Sequence, residues 1–299
     1  MTLSSGNKPT IGFVGAGVVG GALARRLAEA GYPVVAVASR SFGSAVALAA
    51  AVPGCAALGS LDDVAAKAEV VFITTPDDAI ASVAASTAWR AGQAVVHCSG
   101  ALSVDVLAPA ARAGVRVGSF HPLQTFASLD RALVSLTGTT FVLEGDDLPL
   151  LSTLQDMAEA LGGRSVLLRS EDKVLYHAAA VLSSNYVVTL LQQAAELWEA
   201  FGRTKEEALT ALLPLLRGTA ANLESLGLPA ALTGPVSRGD LITVAKHLEA
   251  LESFPDVAAV YRALAEATVP IALAKGRLAP DIAASLIQLL HRQPMSVAS

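Results

Sequence analysis

Four side chains near the middle of the chain, Lys173, His177, Ser184 and Asn185, bring an ammonium, an imidazole, a hydroxyl and a carboxamide to spacings that suit one helix. At roughly 100° per residue, Lys173, His177 and Ser184 share a face within about 40° of arc, and Asn185 lies about 80° round from His177. One substrate cleft could therefore meet all four. Reducing a carbonyl leaves an alkoxide that needs a proton, and an imidazole that titrates near neutrality can supply it, so His177 is the expected donor. Lys173 either neutralises a substrate carboxylate or stands solvated at a helix start. Asn185 either orients a carbonyl or packs between helices. Ser99 and His121 each close an apolar run and face the same presumed cleft, with Gly100 beside them. Ser99 would hold a substrate oxygen or cap a loop. His121 is stiffened by the extended backbone that Pro122 imposes, and it either acts on substrate or is satisfied locally. His97, inside its run, reads as structural.

A second constellation suits an anionic cofactor. The apolar run Thr10–Val14 leads into Gly15-Ala16-Gly17-Val18-Val19-Gly20 and then a helical stretch, Ala22–Ala30. In that setting the three glycines serve a tight turn, close backbone approach to a pyrophosphate, and close packing of helix on strand. The next run ends in Ser39-Arg40-Ser41, with no acid to bind ribose hydroxyls. A guanidinium between two hydroxyls suits a ribose 2′-phosphate, so NADP is the expected cofactor. Thr74, Thr75 and Pro76 end one further run, and Cys98 and Ser99 another; both loops are expected beside the cofactor. The segment Thr233-Gly-Pro-Val-Ser-Arg-Gly-Asp240 is a loop rich in bonding groups. Thr233, Arg238 and Asp240 join Gly100 and Ser184 as expected substrate contacts, although Asp240 equally suits a helix N-cap and Arg238 a contact between subunits.

The elements that must position these groups follow from periodicity. Up to about residue 168, β-branched runs at 10–14, 34–39, 70–74, 94–98, 116–120, 140–143 and 165–168 alternate with alanine-rich helical stretches, the pattern of a largely parallel, doubly wound sheet. Helical segments follow at 171–201, 205–225, 241–252, 256–275 and 281–292. The fold class is α/β: a dinucleotide-binding Rossmann domain over 8–168, then an all-α domain over 169–299 for substrate binding and dimerisation. Segments such as Ala208–Leu216 and Ile282–Leu290 are apolar on more than one face, which predicts a homodimer.

Composition removes other classes. Hydrophobic residues make up 53% of the 299 residues, but no uninterrupted apolar run reaches the roughly 18 residues of a membrane span, so a soluble chain is expected. Net charge is −5 without a basic stripe, which argues against nucleic acid. Cys55 and Cys98 lack disulfide or zinc spacing, and no metal is expected. The short polar start, Met1–Pro9, predicts a cytoplasmic protein.

The glycine turn, Thr75-Pro-Asp-Asp78, His97-Cys-Ser-Gly-Ala-Leu102, His121-Pro-Leu-Gln-Thr-Phe126, Tyr176-His-Ala-Ala-Ala180, Asn185 and Leu232–Asp240 together resemble Rossmann-like proteins with a C-terminal domain of unknown function. These are similar to the 6-phosphogluconate-dehydrogenase-like group, which includes ketopantoate reductase, 3-hydroxyisobutyrate dehydrogenase and pyrroline-5-carboxylate reductase. The resemblance implies reduction of a small 2-keto acid, ketopantoate-like, or of an imine, often by a dimer; a silent NADP-binding regulator is the alternative outside catalysis. Ketopantoate reductase and 3-hydroxyisobutyrate dehydrogenase carry a catalytic Lys with an Asn four residues later. Here either Lys173 matches that Lys and His177 replaces the Asn, or His177 replaces the Lys and Asn185 matches a second Asn. The distance to Gly202 favours the latter.

Overall fold

The computed structural model describes residues 8–292. The chain divides into two compact units, Met1–Tyr186 and Val187–Ser299. The first carries one eight-stranded sheet: β1 (Ile11–Val14), β2 (Val34–Ala38), β3 (Ala56–Ala57), β4 (Val70–Ile73), β5 (Ala94–His97), β6 (Arg116–Pro122), β7 (Thr140–Glu144) and β8 (Arg164–Leu167). Its helices are α1 (Val18–Glu29), α2 (Phe42–Ala50), α3 (Leu61–Lys67), α4 (Asp77–Ser86), α5 (Ala108–Arg112), α6 (Leu129–Ser135), α7 (Leu148–Ala160) and α8 (Lys173–Ser183).

The strand order is β3-β2-β1-β4-β5-β6-β7-β8. From β3 to β6 every pair is parallel; β7 runs antiparallel to β6, and β8 is parallel to β7. The doubly wound expectation holds, with the last two strands reversed. The two-residue β3 is too short to show a period of two, and the sequence pattern did not reveal it.

Alternate residues of the central strands feed two cores. Ile11, Phe13, Phe72, Val96, Phe120 and Phe141 pack under Leu23 and Leu27 of α1 and Leu154 of α7. Val14, Val71, Ile73 and Val95 pack under Val64 of α3 and Ile80 of α4. Phe13, Phe72, Phe120 and Phe141 form a row of ring contacts at 5.3, 5.7 and 4.6 Å, which carries the first core across to the reversed β7.

The expected domain boundary at 168/169 falls inside the first unit. Helix α8 stays with the sheet because Lys173, its first residue, is buried against β6 and β7. The expected continuous helix 171–201 is interrupted at Ser184, whose φ and ψ are −129° and −70°. Ser183, Ser184 and Asn185 stand there together. Such short polar side chains compete with helical backbone bonding, and Ser183 donates to the Ala180 carbonyl at 3.1 Å.

Beyond this kink run α9 (Asn185–Glu199), α10 (Lys205–Leu226), α11 (Pro235–Arg238), α12 (Leu241–Ala250), α13 (Pro255–Ala274) and α14 (Pro280–His291). Thr204 and Glu207 form the expected capping box of α10. The apolar segment Ile282–Leu290, expected at an interface, instead fills this unit's own core: Ala283, Leu286 and Leu290 pack with Val244, Val269 and Ala272. Helix α10 remains uncovered, with Leu215 68% and Leu226 59% exposed. Two stretches, Ser170–Glu199 and Pro255–Ala274, are long and apolar enough to cross a membrane by length and composition alone.

Helix α1 lies on the sheet through Gly20, where a Cβ would stand 2.4 Å from both the Gly15 carbonyl oxygen and Thr74 Oγ1. Gly20→Ala must therefore lift the helix or move the β4 end. The expected result is a loss of about 1–3 kcal/mol in urea unfolding, the usual cost of overpacking; unchanged stability would show that the contact is not tight.

Candidate active site

The turn from β1 into α1 is built for an anion. Gly15 has φ +109°, a conformation that favours glycine, and its amide donates to Ala38 O at 2.8 Å. Thr74 Oγ1 donates to Gly15 O at 2.8 Å and so fastens the end of β4 to the turn. Gly17 is the N-cap of α1, with open space where a side chain would be. No side chain caps the helix, and no acid occupies its first turn. Ala16, Val18 and Val19 pack half-buried on the core. Free first-turn amides facing open space fit a dinucleotide pyrophosphate.

At the end of β2, Ser39 is half-buried and Arg40 exposed. Ser41 caps α2, accepting from the Ser44 amide at 3.4 Å, so it serves the fold as well as the expected cofactor. At the end of β4, Thr75 Oγ1 is buried without a hydrogen-bond partner among the described residues, and Pro76 is the N-cap of α4. A buried orphan hydroxyl at the carboxyl edge of the sheet is a second feature that a bound dinucleotide would satisfy.

The loop after β5 corrects one expectation. Ser99 is buried; its hydroxyl donates to Asp77 at 2.7 Å and accepts from the amides of Ala101 and Leu102 at 3.2 and 3.0 Å. One donor and two acceptor sites are all that a hydroxyl has. Ser99 therefore ties the β5 loop to α4 and has no bond left for a substrate oxygen. Burial pushes the neighbouring Cys98 thiol up, which leaves it protonated and a poor nucleophile.

A buried ion pair fixes the start of α8. Lys173 Nζ lies 3.2 Å from Glu144 Oε2 and donates to Ser119 Oγ at 2.9 Å; Lys173 is 1% and Glu144 2% exposed. Glu144 also accepts from the Val104 amide at 2.8 Å and the Ser170 hydroxyl at 2.7 Å. Burial alone would raise the Glu144 carboxyl, but these two donors and the ammonium outweigh it and hold the group below its ordinary value. Burial pulls the Lys173 ammonium down, and Glu144 opposes that shift. Lys173 is thus neither solvated nor available to a substrate carboxylate.

Three and four residues on, the same face of α8 presents Tyr176 and His177. His121 Nδ1 lies 2.6 Å from Tyr176 Oη. A Cβ on Gly100 would stand 2.7 Å from His121 Nε2 and 3.0 Å from His177 Nδ1, so both rings close on this one glycine. His177 Nδ1 is buried and without a hydrogen-bond partner among the described residues. The rings open onto a cleft of about 520 Å³ lined also by Leu123, Gln124, Phe126, Ser183, Ser184 and Asn185. Of the residues expected to meet substrate, His121, His177, Ser184 and Asn185 thus come together with Gly100 behind them. Lys173 and Ser99 are sealed into the supporting layer.

The remaining expected contacts belong to the second unit. Asp240 caps α12, accepting from the Thr243 amide at 3.0 Å and its hydroxyl at 2.7 Å, so its capping alternative is the one realised. Arg238 ends α11 and is exposed. Thr233 borders an apolar hollow with His247 and Tyr261.

The missed residues had readable signals. Tyr176 sits one helical turn from Lys173, next to His177. Glu144 is an acid closing the apolar strand Thr140–Glu144. Leu123–Phe126 follow His121 directly.

Fold and edge site together define a Rossmann-like protein. Residues 4–122 match the Rossmann-like domain and residues 139–268 match DUF2520, a domain of unknown function, so the chain joins these two domains. No curated protein sequence matches it. Among solved structures, protein TM1727 from Thermotoga maritima is 29% identical, with a TM-score of 0.71 over 89% of this chain and 100% of its own. A candidate NADP oxidoreductase from Bacteroides fragilis, BF3122, is 27% identical, with a TM-score of 0.70 over 88% of this chain and 98% of its own. The 1-pyrroline-5-carboxylate reductase of Streptococcus pyogenes shares the fold at 18% identity and a TM-score of 0.62, over 90% and 99% of the two chains.

Burial pushes both His97 and His121 down to about 4 from 6.5, and the Lys173 charge adds to the shift. The unfolded chain therefore takes up protons on these rings below pH 6.5 that the folded chain refuses until about pH 4. Stability should be full above that window and fall progressively as pH drops through it, by urea titration. His97→Gln should flatten the fall; a wild-type curve level across the window would contradict the buried neutral histidines.

Proposed function

We propose that this chain is a soluble NADP-dependent oxidoreductase that reduces a small carbonyl or imine substrate at the His121–His177 cleft. One observation carries the reading. The uncapped start of α1 follows β1, the cleft lies at the end of β6, and these strands run parallel within one compact unit. Ligands of open α/β sheets bind beyond the carboxyl ends of the strands. The Bacteroides fragilis protein, a candidate NADP oxidoreductase by description, supports the same chemistry.

When bound, the reduced nicotinamide supplies a hydrogen with two electrons to the substrate carbon. The chain's own part is to position and protonate. Arg40 and the Ser39 and Ser41 hydroxyls hold the ribose phosphate, and the α1 amides hold the pyrophosphate. Asn185 and Ser184 orient the substrate. His177 gives its proton to the oxygen or nitrogen as the double bond is reduced, and then takes another from water; the product is the alcohol or amine.

A 2-keto acid of the ketopantoate type is the substrate that the resemblance implies. A specific feature favours an imine or an uncharged carbonyl instead: the cleft's lining residues include no lysine or arginine, and Lys173 is committed to Glu144. The exposed apolar residues of α9 and α10, among them Val188, Leu215 and Leu226, are assigned to a homodimer interface. The apolar stretch Ser170–Glu199 is read as belonging to a soluble, cytoplasmic protein, because Lys173 anchors it to the sheet and polar Ser183–Asn185 interrupt it.

NADPH should bind at least about tenfold more tightly than NADH by calorimetry, roughly 1.4 kcal/mol, and Arg40→Ala should erase the difference. Equal affinities in the unaltered protein would remove the NADP assignment. His177→Ala should lower turnover of keto acids or imines by roughly 10²- to 10⁴-fold without changing NADPH affinity. NADPH binding without oxidation by any member of such a panel would identify a regulator instead. Sedimentation should give twice the 30.4 kDa chain mass; a stable monomer at micromolar concentration would contradict the interface.

A further inference from the structure

The short contact between Tyr176 Oη and His121 Nδ1, 2.6 Å long, is the phenol's one hydrogen bond among the described residues. A phenol with no other acceptor satisfies its proton by donating to Nδ1. Burial holds the Tyr176 phenol up at about 12, so its proton is present across the working pH range. His121 is held down at about 4, so its ring is neutral there. A neutral imidazole has one donor and one acceptor nitrogen. With Nδ1 accepting from the phenol, the ring proton must sit on Nε2, the nitrogen that faces Gly100 beside His177 Nδ1.

We infer that Tyr176 is a positioning residue that fixes the tautomer of His121, so that His121 Nε2–H serves as a neutral hydrogen-bond donor to the substrate oxygen or nitrogen. The two histidines then divide the work: His121 polarises the double bond and His177 delivers the proton. A neutral donor matches the anion that develops during reduction without giving up its own proton. The division rests on the reductase reading above, whereas the tautomer rests on the Tyr176–His121 contact and the burial of the two groups.

Other groups around His121 agree with a neutral ring. Lys173 and His177 face it from α8 and His97 from β5, and a positive charge on any of them disfavours a second one on His121. Glu144, the nearby acid of β7, is occupied by Lys173, Ser170 and Val104. The phenol acts on the tautomer of the neutral ring, because its hydroxyl can donate to Nδ1 only when the ring proton sits on Nε2.

The test is Tyr176→Phe, which keeps the ring and removes only the hydroxyl. Ring nitrogens of ¹⁵N-histidine-labelled full-length protein are followed by NMR, with His121 identified among the five histidines through His121→Gln. The native protein should show His121 protonated on Nε2 and neutral to below pH 5. In Tyr176→Phe the Nδ1-protonated tautomer of the neutral ring should appear, turnover should fall about tenfold or more, and the KM for NADPH should hold. An unchanged His121 tautomer would overturn the positioning role. A changed tautomer with undiminished turnover would overturn the donor role of His121. If no carbonyl or imine is reduced even by the unaltered protein, the reductase reading fails, while the NMR result still decides the tautomer.

Discussion

The arrangement of the site depends on one buried ion pair. Lys173 and Glu144 are both sealed from water, and only the bonds from Ser119, Ser170 and the Val104 amide make that burial tolerable. Removing one partner of such a pair typically costs about 3–5 kcal/mol, because a lone charge remains in the core. The pair draws the first turn of α8 onto Ser119 in the middle of β6 and Glu144 at the end of β7. The next turn then has no choice of direction, and Tyr176 and His177 come to lie over Gly100 and His121. A lysine that sequence spacing places among the reacting groups is in fact what aims them.

The supporting layer continues sideways with the same logic. Ser99 spends its entire bonding capacity on Asp77 and two amides, which holds the β5 loop shut and sets the height of Gly100. Thr74 spends its hydroxyl on Gly15, which holds the glycine turn against β4. Among the described residues, Thr75 Oγ1, His97 Nε2 and His177 Nδ1 in this region have no hydrogen-bond partner, as do Arg26 Nε and Ser135 Oγ elsewhere in the unit. Buried orphan atoms are rare in native proteins, and Thr75 Oγ1 stands at the carboxyl edge where a dinucleotide would satisfy it.

Much of this was legible from residue order. The glycine turn, the alternation of apolar runs with helices, and the switch to an all-helical second half follow from local periodicity and turn chemistry, which are short-range properties. The reversed β7 and β8 and the tiny β3 were not legible, because pairing direction is a long-range property. Periodicity put Lys173, His177 and Ser184 on one helix face, but the helix ends before Ser184, and the burial of Lys173 depended on Glu144, which is 29 residues away in sequence and carries no local mark. Ser99 illustrates a further limit: residue type shows that a hydroxyl can bond, and only the fold shows that its bonds are taken. The apolar stretch Ile282–Leu290 looked like an interface and became core for the same reason, since a core and an interface share one composition.

The central claim is that reducing equivalents pass from NADPH to a substrate held at the histidine cleft. Label transfer tests it directly. With NADPH deuterated at the nicotinamide C4 position in each stereochemical form in turn, the account predicts that one of the two forms yields an alcohol or amine product carrying one deuterium at the reduced carbon, read by mass spectrometry, and that His177→Ala sharply slows its appearance. Product without deuterium from both labelled forms, or undiminished label transfer in His177→Ala, would contradict it.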